Sequence, residues 1–166
     1  MNIILIGFMG SGKTTISQEL AKRLGRVVVD MDDLIEQKAQ MSTPEIFETF
    51  GECRFRELET EVAMEVGKMK NIIVASGGGV IGNSKNIDYL KQNDGKIIYL
   101  HTSFNEIKKR VKNHRRPRPL FTNPKKAHIL YLSRLPIYKN VSDIVISTDN
   151  KEISIIVTEI IRDMSL

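Results

Sequence analysis

A glycine-rich segment near the start of the chain restricts the possible fold more than any other feature. Residues 7–14 read Gly-Phe-Met-Gly-Ser-Gly-Lys-Thr and match the pattern G-x-x-x-x-G-K-[ST] in full. The preceding segment Asn2–Ile6 is almost entirely apolar, and Lys13–Leu24 carries apolar side chains at helical spacing before Gly25. The pattern therefore predicts a buried strand, a phosphate-binding loop and a helix, which is the opening of an α/β fold.

Each residue type in this loop suits a nucleoside triphosphate. Glycines allow backbone N–H groups to approach phosphate oxygens, and the N-terminus of the next helix attracts the same anion. The Lys13 ammonium would bridge the β- and γ-phosphates, and the Thr14 hydroxyl would bind Mg²⁺. We predict an ATP site from a contiguous set of residues, namely Gly10, Ser11, Gly12, Lys13, Thr14 and Thr15. A glycine-rich turn that binds nothing is the alternative, and the flanking strand and helix argue against it.

Apolar runs alternate with amphipathic stretches along the rest of the chain. Further strands are predicted at Val27–Val29, Ile72–Ala75, Lys96–Leu100 and Asp143–Ser147. Helices are predicted at Asp33–Met41, over Glu52–Met69 after a break at Gly51, around Ser84–Lys91, over Lys126–Asn140 and over Glu152–Met164. Two capping boxes predict further helix starts, one at Ser42 and Glu45 for a helix to Phe50 and one at Ser103 and Glu106. Arg115–Lys126 contains three prolines and predicts a mobile loop. This alternation predicts one domain over residues 1–166, with a five-stranded parallel sheet between layers of helices.

Composition excludes several classes of protein. With 41% hydrophobic and 27% charged residues, the chain is neither disordered nor fibrous. A single cysteine, Cys53, excludes a disulfide framework, and no Cys/His spacing predicts structural zinc. No apolar run approaches the roughly 18 residues of a membrane span, and Met1 leads directly into a strand. We therefore expect a cytoplasmic protein.

The net charge of +5 is concentrated in one segment. Residues 108–118 contain seven lysines and arginines and no acid, whereas the remainder holds 18 basic and 20 acidic residues, a net of −2. Such a run favours a nucleic-acid-binding protein as one alternative. It contains no aromatic side chains for base stacking, however, and the rest of the chain is mildly acidic. The charge therefore suits a local anion such as a triphosphate.

Two carboxylates follow the second predicted strand, at the sheet edge where ligands bind in open α/β folds. One of these acids, Asp30 or Asp32, can hold Mg²⁺, directly or through water, and the other can accept the proton of an acceptor hydroxyl. The alternative role, capping the next helix, is favoured only for Asp33.

Further charges and glycines suit a small anionic acceptor. Glu52, Arg56 and Glu59 share one helical face, although such a row is more often a set of solvated ion pairs. Three glycines, Gly77–Gly79, follow the third strand and suit close approach by a ligand, with an empty loop turn as the alternative. Arg134 lies within Arg-Leu-Pro-Ile-Tyr and is equally compatible with an exposed position.

Taken in order, these motifs resemble shikimate kinase. The resemblance runs from about Ile3 to Asp143 and includes the phosphate loop, Asp30-Met31-Asp32, Gly51-Glu52, Phe55-Arg56, Glu59, Gly77-Gly78-Gly79, Arg118-Pro119-Leu120-Phe121, Arg134 and Tyr138. It implies a monomeric, nucleoside-monophosphate-kinase-like protein with substrate-binding helices at about residues 33–61 and a lid at about 112–126. It also implies transfer of the ATP γ-phosphate to the 3-hydroxyl of shikimate, in aromatic amino acid biosynthesis, without a nucleic-acid or membrane partner.

The resemblance also assigns roles to residues. Asp32, Lys13 and Arg118 would be catalytic. Shikimate would be bound by Asp32, Arg56, Gly77, Gly78, Gly79 and Arg134, with Glu59 orienting Arg56. One Mg²⁺ per monomer would be held by Thr14 and, through water, by Asp30, while Arg110 would stack on adenine and Arg118 would contact the phosphates.

Departures from the family pattern leave alternatives open. The spacing from Arg110 to Arg118 is one residue longer than usual, Arg116-Pro117 offers a second register for the lid arginine, and Asn140 replaces an expected acid. A kinase of the same fold for gluconate or a nucleoside monophosphate is the second enzyme hypothesis. A catalytically inactive relative is a third, but every expected charged position is filled.

Overall fold

Five parallel strands form a single sheet in the computed structural model, which describes residues 1–112 and 122–166. The strands are β1 (Ile3–Ile6), β2 (Val27–Asp30), β3 (Ile72–Ala75), β4 (Lys96–His101) and β5 (Ile144–Ser147). Their spatial order is β2-β3-β1-β4-β5, and every neighbouring pair is parallel. The predicted fold class is confirmed.

Helices cover both faces of the sheet. They are α1 (Lys13–Leu24), α2 (Met31–Ala39), α3 (Thr43–Lys68), α4 (Ser84–Leu90), α5 (Phe104–Lys112), α6 (Pro124–Val141) and α7 (Ile153–Asp163), with 3₁₀ turns at Val80–Gly82 and Gln92–Asp94. Alternate residues of β1 face opposite layers: Ile3 and Leu5 pack in the cluster with α1 and α7, and Ile4 and Ile6 in the cluster with α3. Both faces of β1 are therefore buried. In the two described ranges, no helix has an apolar stretch long enough to cross a membrane.

Helix α2 begins two residues earlier than predicted. Asp30 is its N-cap, because the Asp30 carboxylate accepts the Asp32 N–H at 3.0 Å. The prediction that Asp33 caps this helix is therefore wrong, and Asp33 lies within the first turn. The helix ends at Ala39 because Gln40 adopts a left-handed conformation with φ of 53°.

The break predicted at Gly51 lies within α3. Gly51 has φ of 78° and ψ of 178°, so two helical segments meet there at a kink. The capping box at the start is present: the Ser42 N–H and hydroxyl each donate to Glu45 Oε2 at 2.7 Å. Only half of the predicted box at Ser103 forms, since the Glu106 N–H donates to Ser103 Oγ while the Glu106 carboxylate accepts from Arg110.

Helix α6 also begins earlier than predicted, at Pro124 instead of Lys126. Asn123 caps it by accepting the Lys126 N–H at 3.1 Å, and Pro124 occupies the first helical position, where a missing N–H costs nothing. The loop prediction for Arg115–Lys126 is therefore wrong over its last three residues. Most of the predicted lid, residues 113–121, lies outside the described residues.

Candidate active site

A cavity of about 600 Å³ opens at the carboxyl ends of β1, β2 and β3. Its walls come from the phosphate loop, from the residues that follow β2 and β3, and from α3, α5 and α6. This is the edge of a parallel sheet at which ligands bind, since the loops there diverge and the helices begin. Residues distant in sequence therefore meet in one space large enough for a small molecule.

The phosphate loop forms one end of this cavity. Gly12 has φ of 93°, a left-handed conformation that favours glycine, and it leads directly into the N-terminus of α1. The Lys13 ammonium donates to the carbonyls of Gly7 at 2.8 Å and Phe8 at 3.2 Å, so it lies folded over the loop. The predicted ATP-binding residues Gly10, Gly12, Lys13, Thr14 and Thr15 line the cavity. Ser11 instead is fully buried and does not line the cavity, and its N–H donates to the Phe8 carbonyl at 3.1 Å.

Thr14 and Asp30 are brought together beside the loop. The Thr14 hydroxyl donates to Asp30 Oδ2 at 3.4 Å, and burial raises the pKa of the Asp30 carboxyl. A hydroxyl and a carboxylate are hard oxygen ligands of the kind that suits Mg²⁺, which keeps several waters and binds substrate phosphates. In the part of the chain that the structure describes, no three His, Cys, Asp or Glu side chains are grouped for a metal. A cation here would therefore depend on the bound triphosphate and on water.

Asp32 lies in the first turn of α2 and faces the glycines after β3. A Cβ atom on Gly77 would lie 2.8 Å from Asp32 Oδ1 and 3.3 Å from Glu59 Oε1, so position 77 has no room for a side chain. Burial raises the pKa of Asp32, the nearby Asp30 carboxylate raises it further, and Lys13 acts in the opposite direction. The arrangement increases the basicity of Asp32 at the centre of the cavity.

Arg56 of α3 is held by two carboxylates in different surroundings. Arg56 Nη1 donates to Glu59 Oε2 at 2.9 Å, and Arg56 Nη2 donates to Glu52 Oε1 at 3.2 Å. The Glu59 side chain is only 2% exposed, whereas that of Glu52 is 68% exposed. The row is therefore not a set of solvated ion pairs, because its inner end is buried. Burial raises the pKa of Glu59 and Arg56 partly offsets this rise.

The second arginine of the acceptor wall is Arg134 of α6. Its guanidinium carbon lies 5.9 Å from the centre of the Phe8 ring, and the side chain is half-buried at the cavity wall. A Cβ atom on Gly78 would lie 3.7 Å from Arg134 Nη1, and one on Gly79 would overlap the Arg56 guanidinium. The two arginines therefore flank the glycines, and position 134 is not an ordinary surface arginine.

Arg110 of α5 lies next to the phosphate loop. Its guanidinium donates to Glu106 Oε1 at 3.0 Å, to the Ser11 carbonyl at 3.3 Å and to the Thr148 carbonyl at 2.8 Å. These contacts join α5, the loop and the end of β5. Arg118 and its alternative Arg116 lie outside the described residues.

Sequence reasoning missed part of the cavity wall. Thr43, Phe47 and Ser76 line the cavity, and the Phe47 and Phe55 rings lie 4.7 Å apart across the kink at Gly51. Phe47 is 39% exposed, and an exposed aromatic next to a helix break is the sequence feature that could have identified it. The two rings give the acceptor side an apolar surface, and the Arg56 guanidinium carbon lies 5.2 Å from the centre of the Phe55 ring.

Known proteins with similar sequences are described as shikimate kinases. The sequence model of the family "Shikimate kinase" matches residues 9–165. The chain is 41% identical to a shikimate kinase of Lactococcus lactis subsp. lactis over an alignment of 161 residues that covers 96% of each protein. It is 42% identical over 151 residues to that of Caldicellulosiruptor bescii, covering 89% of this chain and 86% of the relative.

Solved structures extend the comparison to the fold. Shikimate kinase from Acinetobacter baumannii in complex with shikimate superposes with a TM-score of 0.90 at 36% identity, covering 99% of this chain and 92% of that one. Deoxyadenosine kinase from M. mycoides, with bound dCTP, has a TM-score of 0.67 at 20% identity over 99% of each chain. The second likeness shows a shared fold alone, because identity is so low.

Proposed function

The chain belongs to the shikimate kinase family, and we propose that its cavity transfers the γ-phosphoryl group of ATP to the 3-hydroxyl of shikimate. The observation that carries this proposal is the meeting of a phosphate loop and a wall with two arginines in one cavity, with Asp32 between them. The product, shikimate 3-phosphate, is an intermediate of aromatic amino acid biosynthesis.

The nucleotide occupies the loop end of the cavity. The N-terminus of α1 and the loop N–H groups receive the phosphates, and the Lys13 ammonium moves from the loop carbonyls to the β- and γ-phosphates. Thr14 and, through water, Asp30 would hold Mg²⁺, which would neutralise charge on the triphosphate. The hydrogen bond from Arg110 to the Ser11 carbonyl supports a place for Arg110 beside the adenosine part of the nucleotide.

The carboxylate of shikimate is held between Arg56 and Arg134. Each guanidinium presents a planar set of donors that matches a carboxylate, and Glu59 fixes the direction of Arg56 from the interior. The glycines after β3, Gly77–Gly79, allow the ring of the acceptor to approach the backbone without obstruction by side chains. Phe47 and Phe55 provide an apolar surface for the ring.

Asp32 aligns the acceptor hydroxyl and receives its proton. Its position next to Gly77 places the carboxylate on the acceptor side of the cavity, and the raised pKa makes it a better base than an exposed aspartate. The transfer itself requires positioning and neutralisation of charge more than covalent chemistry, because the phosphoryl group passes through a loose transition state.

A coupled assay of ADP release tests the proposal. The wild-type chain is offered ATP and Mg²⁺ with shikimate, gluconate or nucleoside monophosphates in parallel. ADP release is expected with shikimate and with none of the other acceptors. ADP release with gluconate or a nucleoside monophosphate but not with shikimate would favour the second enzyme hypothesis. Filter binding to RNA at physiological salt serves as the control for a nucleic-acid partner, for which no retention is expected.

Several finer assignments stay predictions from the sequence. They are the monomeric state, the cytoplasmic location, the stacking of Arg110 on adenine, and the contact of Arg118 with the phosphates. Analytical ultracentrifugation with and without substrates checks the first of them.

A further inference from the structure

Tyr138 links the helix that carries Arg134 to the glycines after β3. Its hydroxyl donates to the Gly78 carbonyl at 2.5 Å, and the residue is 1% exposed. Its ring stacks on Tyr99 of β4 with centres 5.0 Å apart and an interplanar angle of 13°. The Tyr99 hydroxyl in turn lies 3.0 Å from His101 Nδ1. The Tyr138 ring is therefore held by the sheet on one side and by the glycine turn on the other.

This hydrogen bond orients the backbone at the cavity wall. Gly78 and Gly79 line the cavity but Tyr138 does not, so the Gly78 carbonyl points away from the cavity toward the protein interior. The Gly78–Gly79 peptide is planar and trans, and its N–H therefore points to the opposite side, the side of the cavity. Within residues 1–112 and 122–166, neither the Gly78 N–H nor the Gly79 N–H donates a hydrogen bond. These donors remain available to an acceptor molecule.

The same contact determines where Arg134 lies relative to those donors. Arg134 and Tyr138 are four residues apart on α6 and so share one face of the helix. Pro136 lies between them and cannot donate the helical hydrogen bond to Leu132, which weakens the helix at this turn. The tertiary bond from Tyr138 to Gly78 compensates by attaching the turn to the glycines.

We propose that Tyr138 is a positioning residue for the acceptor carboxylate, which holds the Arg134 guanidinium and the Gly78–Gly79 peptide in register before the substrate binds. The inference rests on the proposed function, because it assigns the carboxylate of shikimate to this wall. Burial raises the pKa of Tyr138, so the hydroxyl stays protonated and donates throughout the pH range of an assay.

A pair of matched variants tests this role. Tyr138→Phe removes the hydroxyl and keeps the ring, and Tyr131→Phe does the same elsewhere on α6. Tyr131 is also buried, 5% exposed, but its hydroxyl donates to the Thr102 carbonyl at 3.0 Å, away from the glycines. Tyr138→Phe should raise the KM for shikimate about tenfold, since a buried carbonyl loses its donor. The KM for ATP and kcat should stay within about twofold, as should the KM for shikimate in Tyr131→Phe.

A ligand that lacks the carboxylate charge separates positioning from general loss of structure. Wild type should bind shikimate more tightly than its methyl ester, and Tyr138→Phe should reduce this ratio of dissociation constants severalfold. The inference is overturned if the variant weakens acid and ester equally, raises both KM values together, or behaves as wild type. If Tyr138→Phe does not fold, the ratio is measured for Tyr99→Phe. This substitution keeps the stacked ring but removes the hydroxyl contact to His101 Nδ1 that holds it, so the ratio should decrease less. An unchanged ratio there overturns the inference.

Failure of the proposed function gives a different result. In that case the wild-type chain itself does not phosphorylate shikimate, whereas failure of the positioning role appears only in the comparison of Tyr138→Phe with wild type and with Tyr131→Phe.

Discussion

The phosphate end and the acceptor end of the cavity are built in different ways. The phosphate end comes from residues 7–14, a continuous stretch in which backbone groups and one helix N-terminus provide most of the binding. The acceptor end is assembled from Asp32, Arg56, Gly77–Gly79 and Arg134, which lie on separate elements and are oriented by buried polar contacts. Changes to buried positioning residues should therefore affect the binding of shikimate far more than the binding of ATP.

The largest effect is expected where the two ends meet. Asp32→Asn should lower kcat by up to about 10⁴-fold, because it removes the base while keeping size and hydrogen bonding. ATP affinity should be unchanged, as Asp32 lies on the acceptor side. Steady-state kinetics and titration with a non-hydrolysable ATP analogue measure the two quantities. Near-normal turnover would remove Asp32 from the chemistry, and a loss of ATP binding would show that the two ends are not separable.

The next effect concerns the phosphate end. Arg118→Ala should lower kcat on the order of 10²-fold or more, by analogy with arginines that neutralise charge on a transferring phosphoryl group. The KM for shikimate should change little. Arg116→Ala is the matched control, since it removes the other arginine of the two Arg-Pro pairs. If Arg116→Ala shows the loss and Arg118→Ala does not, the role moves to Arg116.

A smaller effect, on the KM for shikimate, is expected to distinguish Glu59, the buried partner of Arg56, from Glu52, its exposed partner. Glu59→Gln should raise the KM for shikimate roughly tenfold, because a buried charged hydrogen bond is lost and Arg56 is no longer directed into the cavity. Glu52→Gln removes a contact to the same guanidinium from a carboxylate that is 68% exposed, and should change this KM by less than about twofold. Equal effects of the two substitutions on KM would mean that burial does not decide how Arg56 is held.

The smallest effect is a gain in stability. Folding raises the pKa of the Asp32 carboxyl above its ordinary value of 3.8. Asp32 therefore contributes to the stability of the fold at pH values below 3.8, where it is protonated, and this contribution is lost as pH rises through the pKa of the folded state. Asn carries no charge at any pH, and Asp32→Asn should therefore raise Tm at neutral pH, by less than about 2 °C because solvent reaches this exposed side chain and screens its charge. Thermal melts at several pH values check this. The difference should shrink toward pH 4, and a difference that grows there would contradict the assignment.

Elements with strong local patterns could be predicted from the sequence. Helix α1 begins at Lys13 and ends at Leu24 as predicted, and β3 spans Ile72–Ala75 as predicted. The errors occurred where side chains compete for one cap. Asp30, Asp32 and Asp33 are all suitable caps, and only the path of β2 decides that Asp30 accepts the N–H. At α6 the sequence Asn123-Pro124 contains a helix-start signal, but the frequent prolines of that stretch favour the prediction of a loop.

The candidate site was predictable to different degrees at its two ends. The phosphate loop could be identified from the chain itself, and the resemblance to shikimate kinase pointed to Asp32, Arg56, Gly77–Gly79 and Arg134. The resemblance also pointed to Glu59 as the residue that orients Arg56, whereas the contact of Tyr138 with the Gly78 carbonyl could not be predicted. Glu59 and Glu52 look equivalent in a helical pattern, and their exposure differs only because one side of α3 packs against the sheet.

Residue types at short, fixed spacings were enough to predict the phosphate loop, the parallel five-stranded sheet and the family resemblance. The burial of Glu59 beneath Arg56, the close approach of Gly77 to the Asp32 carboxylate and the hydrogen bond from Tyr138 to the Gly78 carbonyl became visible only in the folded chain. Such contacts join residues up to 60 positions apart, as between Gly78 and Tyr138. They depend on how helices pack on the sheet, which no local pattern of the chain specifies.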